Sequence, residues 1–204
     1  MAELSTEYIK AIEKIIFKGD DIEDRTERHE YIQKSLAEFF RLLDFEVFIE
    51  YPVGCIHFDH TSDHNRDSQF RAYFGKVDIY VKAPSKIEIA IEFDNAATLK
   101  RSSIRKFLQS KANICIGVIQ GSISKKKSNL PYDQLMNNNV TKFKPVIEET
   151  MYFYDVIQDQ EKHQFLKRKI FYLGIINRKI FEDITPFVLD FIKKNKRDSF
   201  YYSL

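Results

Sequence analysis

Two short segments, Lys76–Val81 and Ile87–Asp94, constrain this chain more than any others. Both alternate apolar and polar residues at the two-residue period of a half-buried strand. In the first, Val77, Ile79 and Val81 are expected to point one way, with Asp78 and Tyr80 opposite. In the second, Ile87, Ile89, Ile91 and Phe93 take the core face and leave Glu88, Glu92 and Asp94 on the other. The gap between them contains Pro84 and Ser85, which suits a hairpin connection. Paired in this way, the strands carry Asp78, Glu92 and Asp94 on one face, where such carboxylates can hold a divalent cation.

The remaining pattern supplies elements around this pair. Residues 3–17 read as a first helix, with Tyr8, Ile9, Ile12, Ile15 and Ile16 as its apolar stripe. A second helix starts near Asp24 or Thr26 and runs to Leu43, with Ile32, Leu36, Phe39 and Phe40 facing inward and Glu30 at the edge of that face. His29 reads as a packing or capping residue of the same helix. Residues 45–51 form a strand closed by Pro52 and Gly54, and residues 55–69 turn polar and irregular. Ser102 or Ser103 is expected to cap a helix running through Gln109, and residues 113–119 form an apolar strand covered on both faces. The order is helix, three strands, helix, strand. The stretch 123–145, with Lys125–Lys127 and Asn137–Asn139, reads as a polar mobile loop. Residues 146–204 regain apolar content as a C-terminal extension packing on the core. The division is thus an N-terminal helix (1–24), a core (25–122), the loop and the extension.

Composition narrows the class. At 204 residues, 44% hydrophobic and 30% charged, the chain can bury one core and is neither disordered nor fibrous. A net charge of +2 gives no global field toward nucleic acid, so local patches matter more. No apolar run approaches a bilayer span, and no signal peptide opens the chain. The two cysteines, Cys55 and Cys115, suggest no disulfide framework, which points to a reducing cytoplasm.

Asp78 and Glu92, 14 residues apart on neighbouring strands, together with the helix–strand order, resemble the PD-(D/E)XK nuclease superfamily over residues 25–120. Gly75-Lys76-Val77 precede Asp78, where the family carries Pro. The resemblance implies an α/β (α+β) fold with a restriction-endonuclease-like αβββαβ core, whose mixed central sheet is flanked by helices. It implies a metal-dependent endodeoxyribonuclease of restriction, defence or processing type. Phosphodiester hydrolysis needs a cation on hard oxygen ligands, Mg2+ or Mn2+. By the resemblance these are Asp78, Glu92 and the backbone carbonyl of Phe93, with Glu30 as the helix carboxylate that often completes such sites. DNA is the implied partner. A double-strand cut needs two active sites, so a homodimer is expected, with the aromatic C-terminal segment as its candidate interface.

The chain departs from the family pattern at Asp94, where the motif has Lys. Three readings stand. Asp94 binds a second cation as an auxiliary acid. Alternatively, the positive charge has moved to the following helix, among Lys100, Arg101, Arg105 and Lys106, with Lys106 and Arg105 the first choices to stand near the scissile phosphate. Or the site is degenerate, and the chain is an inactive nucleic-acid-binding, assembly or protein-interaction module.

Two further features are candidates only. His57, His60 and His64, with Cys55, Asp59 and Asp63, could ligate a transition metal, but the spacing fits no standard zinc module. Lys125–Lys127 and the cluster Lys193-Lys194-Asn195-Lys196-Arg197, followed by Phe200-Tyr201-Tyr202, could supply phosphate contacts and base stacking.

Overall fold

The computed structural model describes residues 4–58, 70–121 and 131–194. The chain folds as a helix α1 (Thr6–Lys18), α2 (Arg25–Arg41), strands β1 (Glu46–Phe58), β2 (Phe70–Lys82) and β3 (Glu88–Asp94), then α3 (Arg101–Gln109) and β4 (Ile114–Ile119). Three helices follow, α4 (Tyr132–Val140), α5 (Phe143–Val156) and α6 (Gln160–Leu166), and then β5 (Ile170–Ile175), β6 (Ile180–Asp183) and α7 (Thr185–Lys194). The six strands form one mixed sheet in the order β1-β2-β3-β4-β5-β6. The first three form an antiparallel meander, β3, β4 and β5 run parallel, and β6 returns antiparallel. No helix among the described residues is long and apolar enough to cross a membrane.

Helices cover both faces of the sheet. Ile12 and Ile16 of α1 and Ile32, Leu36 and Phe40 of α2 pack on Ile79, Val81, Ile89, Ile91 and Ile116. On the other face Ile104, Phe107 and Leu108 of α3 and Val146, Ile147 and Met151 of α5 cover Val77, Tyr80, Ala90 and Cys115. With both faces covered, β4 and β5 are buried along their whole length, as the apolar run Ile114–Ile119 implies. The same covering corrects the picture of β2 and β3 as half-exposed strands: Glu92 and Asp94 lie beneath α3 and are only 2% and 3% exposed.

The expected alternation along β3 holds, but that along β2 does not. Ile79 and Val81 face α1 and α2, whereas Val77 joins Tyr80 on the α3 side. Residues three apart cannot share a face of a regular strand, so β2 loses one step of alternation next to Asp78. β1 slips in the same way: Phe48 and Tyr51 both pack toward α3. Between them Glu50 takes a left-handed conformation (φ 54°), which costs a non-glycine residue about 1 kcal/mol. Because both strands slip on the same rung, pairing skips Glu50 and Asp78 and resumes at the same offset, from Ile49↔Ile79 to Tyr51↔Val77.

Several boundaries differ from the sequence expectation. β1 does not stop at Pro52 but continues to Phe58, because an edge strand tolerates a residue lacking an N–H. His57 therefore lies on a strand opposite Arg71, while His60, His64, Asp59 and Asp63 lie outside the described residues. Asn137–Asn139 belong to α4 instead of a polar loop. Asn139 is fully buried, and its amide accepts from Leu99 N (3.0 Å) and donates to Leu135 O (2.9 Å). Lys125–Lys127 and residues 195–204 lie outside the described residues.

Candidate active site at the fork of β2 and β3

β2 pairs with β3 only from Ile79 to Lys82, against Glu88 to Ile91. Beyond Ile79 it leaves the sheet with β1 as a two-stranded ribbon, and a fork opens between Asp78 and Glu92. Side chains take over the broken ladder there. Asp78 Oδ2 accepts the Phe93 N–H (2.7 Å), and Gln33 of α2 donates to the Asp78 carbonyl (3.0 Å). Both bonds fix the carboxylate at the point where the strands part.

Glu92 faces Asp78 across the fork and is enclosed by α3. Lys106 Nζ lies 2.5 Å from Glu92 Oε2 and donates to the Lys76 carbonyl (2.7 Å). Ser103 hydrogen-bonds the same carboxylate. Glu92 Oε1 is buried and has no hydrogen-bond partner. Burial first, and the Asp78 charge second, push the Glu92 pKa up to about 7; the Lys106 ammonium pulls back without prevailing. Burial also raises Asp78, against the Phe93 N–H, His29 and Lys106. Two carboxylates crowded this way keep their charges only beside a cation, and the chain supplies one ammonium.

The Lys106 stem reaches the fork by crossing Gly75. A Cβ at that position would lie 2.9 Å from Lys106 Cδ, so the glycine leaves the path open.

The structure thus brings Asp78, Glu92, the Phe93 backbone and Lys106 together, and it places three other expected residues elsewhere. Asp94 is committed to the chain's own backbone: Oδ2 accepts the Lys100 N–H at the start of α3 (2.8 Å), and Oδ1 pairs with Lys100 Nζ (3.2 Å). It anchors Lys100, the residue that opens α3; that helix has no side-chain cap, and Ser102 and Ser103, expected to cap it, lie within it. Arg105 turns away from the fork to Glu149 of α5 (2.8 Å) and the Tyr73 hydroxyl (3.5 Å), tying the ribbon to the helical layer. Glu30 lies on the solvent side of α2 in an exposed pair with Lys34 (3.0 Å).

Two α2 residues reach the fork instead, His29 and Gln33, one helical turn apart. The His29 ring lies 5.2 Å from that of Phe93 and close enough to Asp78 to lower its pKa. Glu50, the left-handed residue of β1, stands opposite Asp78 and raises its pKa. Glu50 also meets Lys76 Nζ at 3.8 Å. Neither role of Glu50 is legible in the sequence, because both depend on which rung of the ribbon meets the fork.

Among the described residues no three His, Cys, Asp or Glu side chains converge into a group that could hold a metal ion. What the fork offers a cation is two carboxylates, one with an unpartnered buried oxygen, and a backbone carbonyl. That set suits Mg2+, which is commonly bound through one or two carboxylates and keeps water or substrate oxygens on its other positions. Comparison with protein-family models, with curated proteins and with solved structures returns no match for this chain.

Proposed function

We propose that the chain is a metal-dependent endodeoxyribonuclease of the PD-(D/E)XK type, in which Lys106 of α3 replaces the lysine lost at position 94. The observation that carries this reading is the contact of Lys106 Nζ with Glu92 at a fork whose other side is Asp78, beside the unpartnered Glu92 Oε1. The order α2-β1-β2-β3-α3-β4, with an antiparallel meander and a parallel fourth strand, supports it further. So does the position of Glu92 near the carboxyl end of β3, where ligands bind in open α/β sheets.

Asp78, Glu92 and the Phe93 carbonyl would hold the cation. When bound, Mg2+ stabilises the charge gathering on the phosphoryl oxygens and lowers the pKa of the attacking water. The protein's part is positioning. Asp78 is held by Phe93 N–H and Glu92 by Ser103, so neither carboxylate must be reordered when substrate arrives. Lys106 neutralises Glu92 in the chain alone; with substrate its ammonium faces the scissile phosphate from the α3 side. Water adds to phosphorus, the bond from phosphorus to the leaving sugar oxygen breaks, and that oxygen takes up a proton.

The test is cleavage of linear, circular and branched DNA with Mg2+ and Mn2+. Asp78→Ala and Lys106→Met are each expected to reduce metal-stimulated cleavage by at least 100-fold, with unchanged circular dichroism. Arg105→Met and Asp94→Asn separate the site from its surroundings and retain the metal requirement. Undiminished cleavage by the Lys106→Met protein refutes the substitution of lysines; DNA binding without cleavage in any divalent metal refutes the enzyme.

A further inference from the structure

Resting on the nuclease reading of the fork, we propose that the substrate enters as an unpaired strand, with one base stacked on Phe74 and the adjoining backbone passing over Lys76 to Asp78. Phe74 is 84% exposed, the most exposed large hydrophobic side chain among the described residues. It sits on the β1–β2 ribbon. Its cross-strand partner is Gly54, where an added Cβ would come no closer than 4.0 Å to Phe74 Cε1. Ala72, two residues along the same strand, is also exposed.

The ring cannot turn inward, because the inner side of the ribbon is occupied. Val53 and Cys55 are buried there, and Tyr73 packs against the same cluster. Gln109 of α3 locks the ribbon by accepting the Ile56 N–H (2.6 Å) and donating to the Ile56 carbonyl (2.8 Å). Phe74 is thus an aromatic face turned to solvent on a ribbon held in place by Gln109.

Lys76 follows two residues later on the same exposed side. Its ammonium is 67% exposed and meets only the Glu50 carboxylate at the long distance of 3.8 Å. Such exposed pairs contribute little, so a phosphate can displace it. At about 3.3 Å per residue, Lys76 stands roughly 6.6 Å from Phe74, on the way to Asp78. The ribbon therefore presents a stacking face and then a cation along the strand that leads to Asp78 at the fork.

The chemistry selects the form of the substrate. A duplex keeps its base faces inside the stack, so an exposed ring engages a base face only where the base has left its neighbours. Stacking of this kind tolerates any base, so the contact would set the structure recognised and leave the sequence open.

The experiment measures binding of a fluorescein-labelled 15-nucleotide single strand and of its duplex by anisotropy, in EDTA so that no cleavage occurs. Phe74→Ala is expected to weaken single-strand binding roughly 5- to 150-fold while leaving the duplex within twofold. Phe74→Leu should lose nearly as much, since it keeps the apolar surface but not the π-face. The chain contains no tryptophan, so Phe74→Trp introduces a single indole whose emission should be quenched by the single strand. The proposal is overturned if Phe74→Ala binds the single strand like the unmodified protein, if single strand and duplex weaken equally, or if the indole emission does not respond. Metal-stimulated cleavage that persists while Phe74→Ala binds normally removes the stacking site alone. Loss of binding by Phe74→Ala in a protein that never cleaves keeps the stacking site and removes the nuclease reading.

Discussion

Replacing Glu92 by Gln isolates the electrostatics of the fork, because Gln is the uncharged isostere of a protonated Glu. Glu92 rises from an ordinary 4.5 to about 7 in the folded chain. Folding therefore favours its protonated form. The stability linked to that proton is fully present below pH 4.5 and is lost as pH rises through 7. At 1.36 kcal/mol per unit, the loss across that interval is up to about 3 kcal/mol. At pH 4.5 or below, unmodified and Glu92→Gln proteins should unfold at the same urea concentration. At pH 8 the Gln protein should be the more stable by about 2–3 kcal/mol. For a chain of this size that corresponds to a melting temperature higher by roughly 5–10 °C. Urea titrations at pH 4.5, 6 and 8, with and without Mg2+, provide the measurement. Mg2+ should narrow the gap at pH 8 by stabilising the unmodified protein alone. A gap that stays flat with pH refutes the reasoning. A Gln protein less stable at pH 8 would mean that the Lys106 ion pair outweighs burial and the Asp78 charge.

Placing the lysine of the PD-(D/E)XK motif at position 94 should fail: Asp94→Lys puts an ammonium in a position 3% exposed, beside Lys100, and removes the carboxylate that accepts the Lys100 N–H. The expected result is destabilisation by about 3 kcal/mol or more in urea titration and no gain in cleavage, whereas a stable and more active protein would show that Asp94 is not structural. Gly75→Ala should displace the Lys106 stem by a few tenths of an ångström, with little change in melting temperature and a fall in kcat of roughly 10-fold at similar KM. Unchanged kcat would mean that the path of Lys106 over Gly75 is not what sets its position.

The parts of the fold readable in advance were those set by local period. β3 alternates as Ile87–Asp94 requires, α2 begins at Asp24 with the side-chain cap that an N-terminal Asp supplies, and the apolar run Ile114–Ile119 became a central parallel strand. Lys106 was legible as a basic residue on the helix after the motif. What stayed hidden depends on one event, the slip of β1 and β2 at Glu50 and Asp78. No residue type announces it: Glu50 has neither the freedom of glycine nor a turn partner to mark a left-handed conformation. That slip turns Val77 from the α2 side to the α3 side, and the register it preserves puts Glu50 opposite Asp78. Asp94 misled for another reason. Alternation fixes its side of the strand correctly, but only the start of α3 decides that its carboxylate is spent on Lys100.

The ion pair of Glu92 with Lys106 means that the chain brings its own counter-ion to the fork. It can fold with that charge balanced before any metal arrives. On the nuclease reading, loading a divalent ion would be an exchange, with the ammonium leaving as the cation enters, instead of the filling of a vacant cage. Part of the attraction would be spent on eviction, which would move half-saturation to higher metal concentration and make occupancy sensitive to whatever draws Lys106 away. A phosphate beside the fork would do that, so substrate and metal would each favour the arrival of the other.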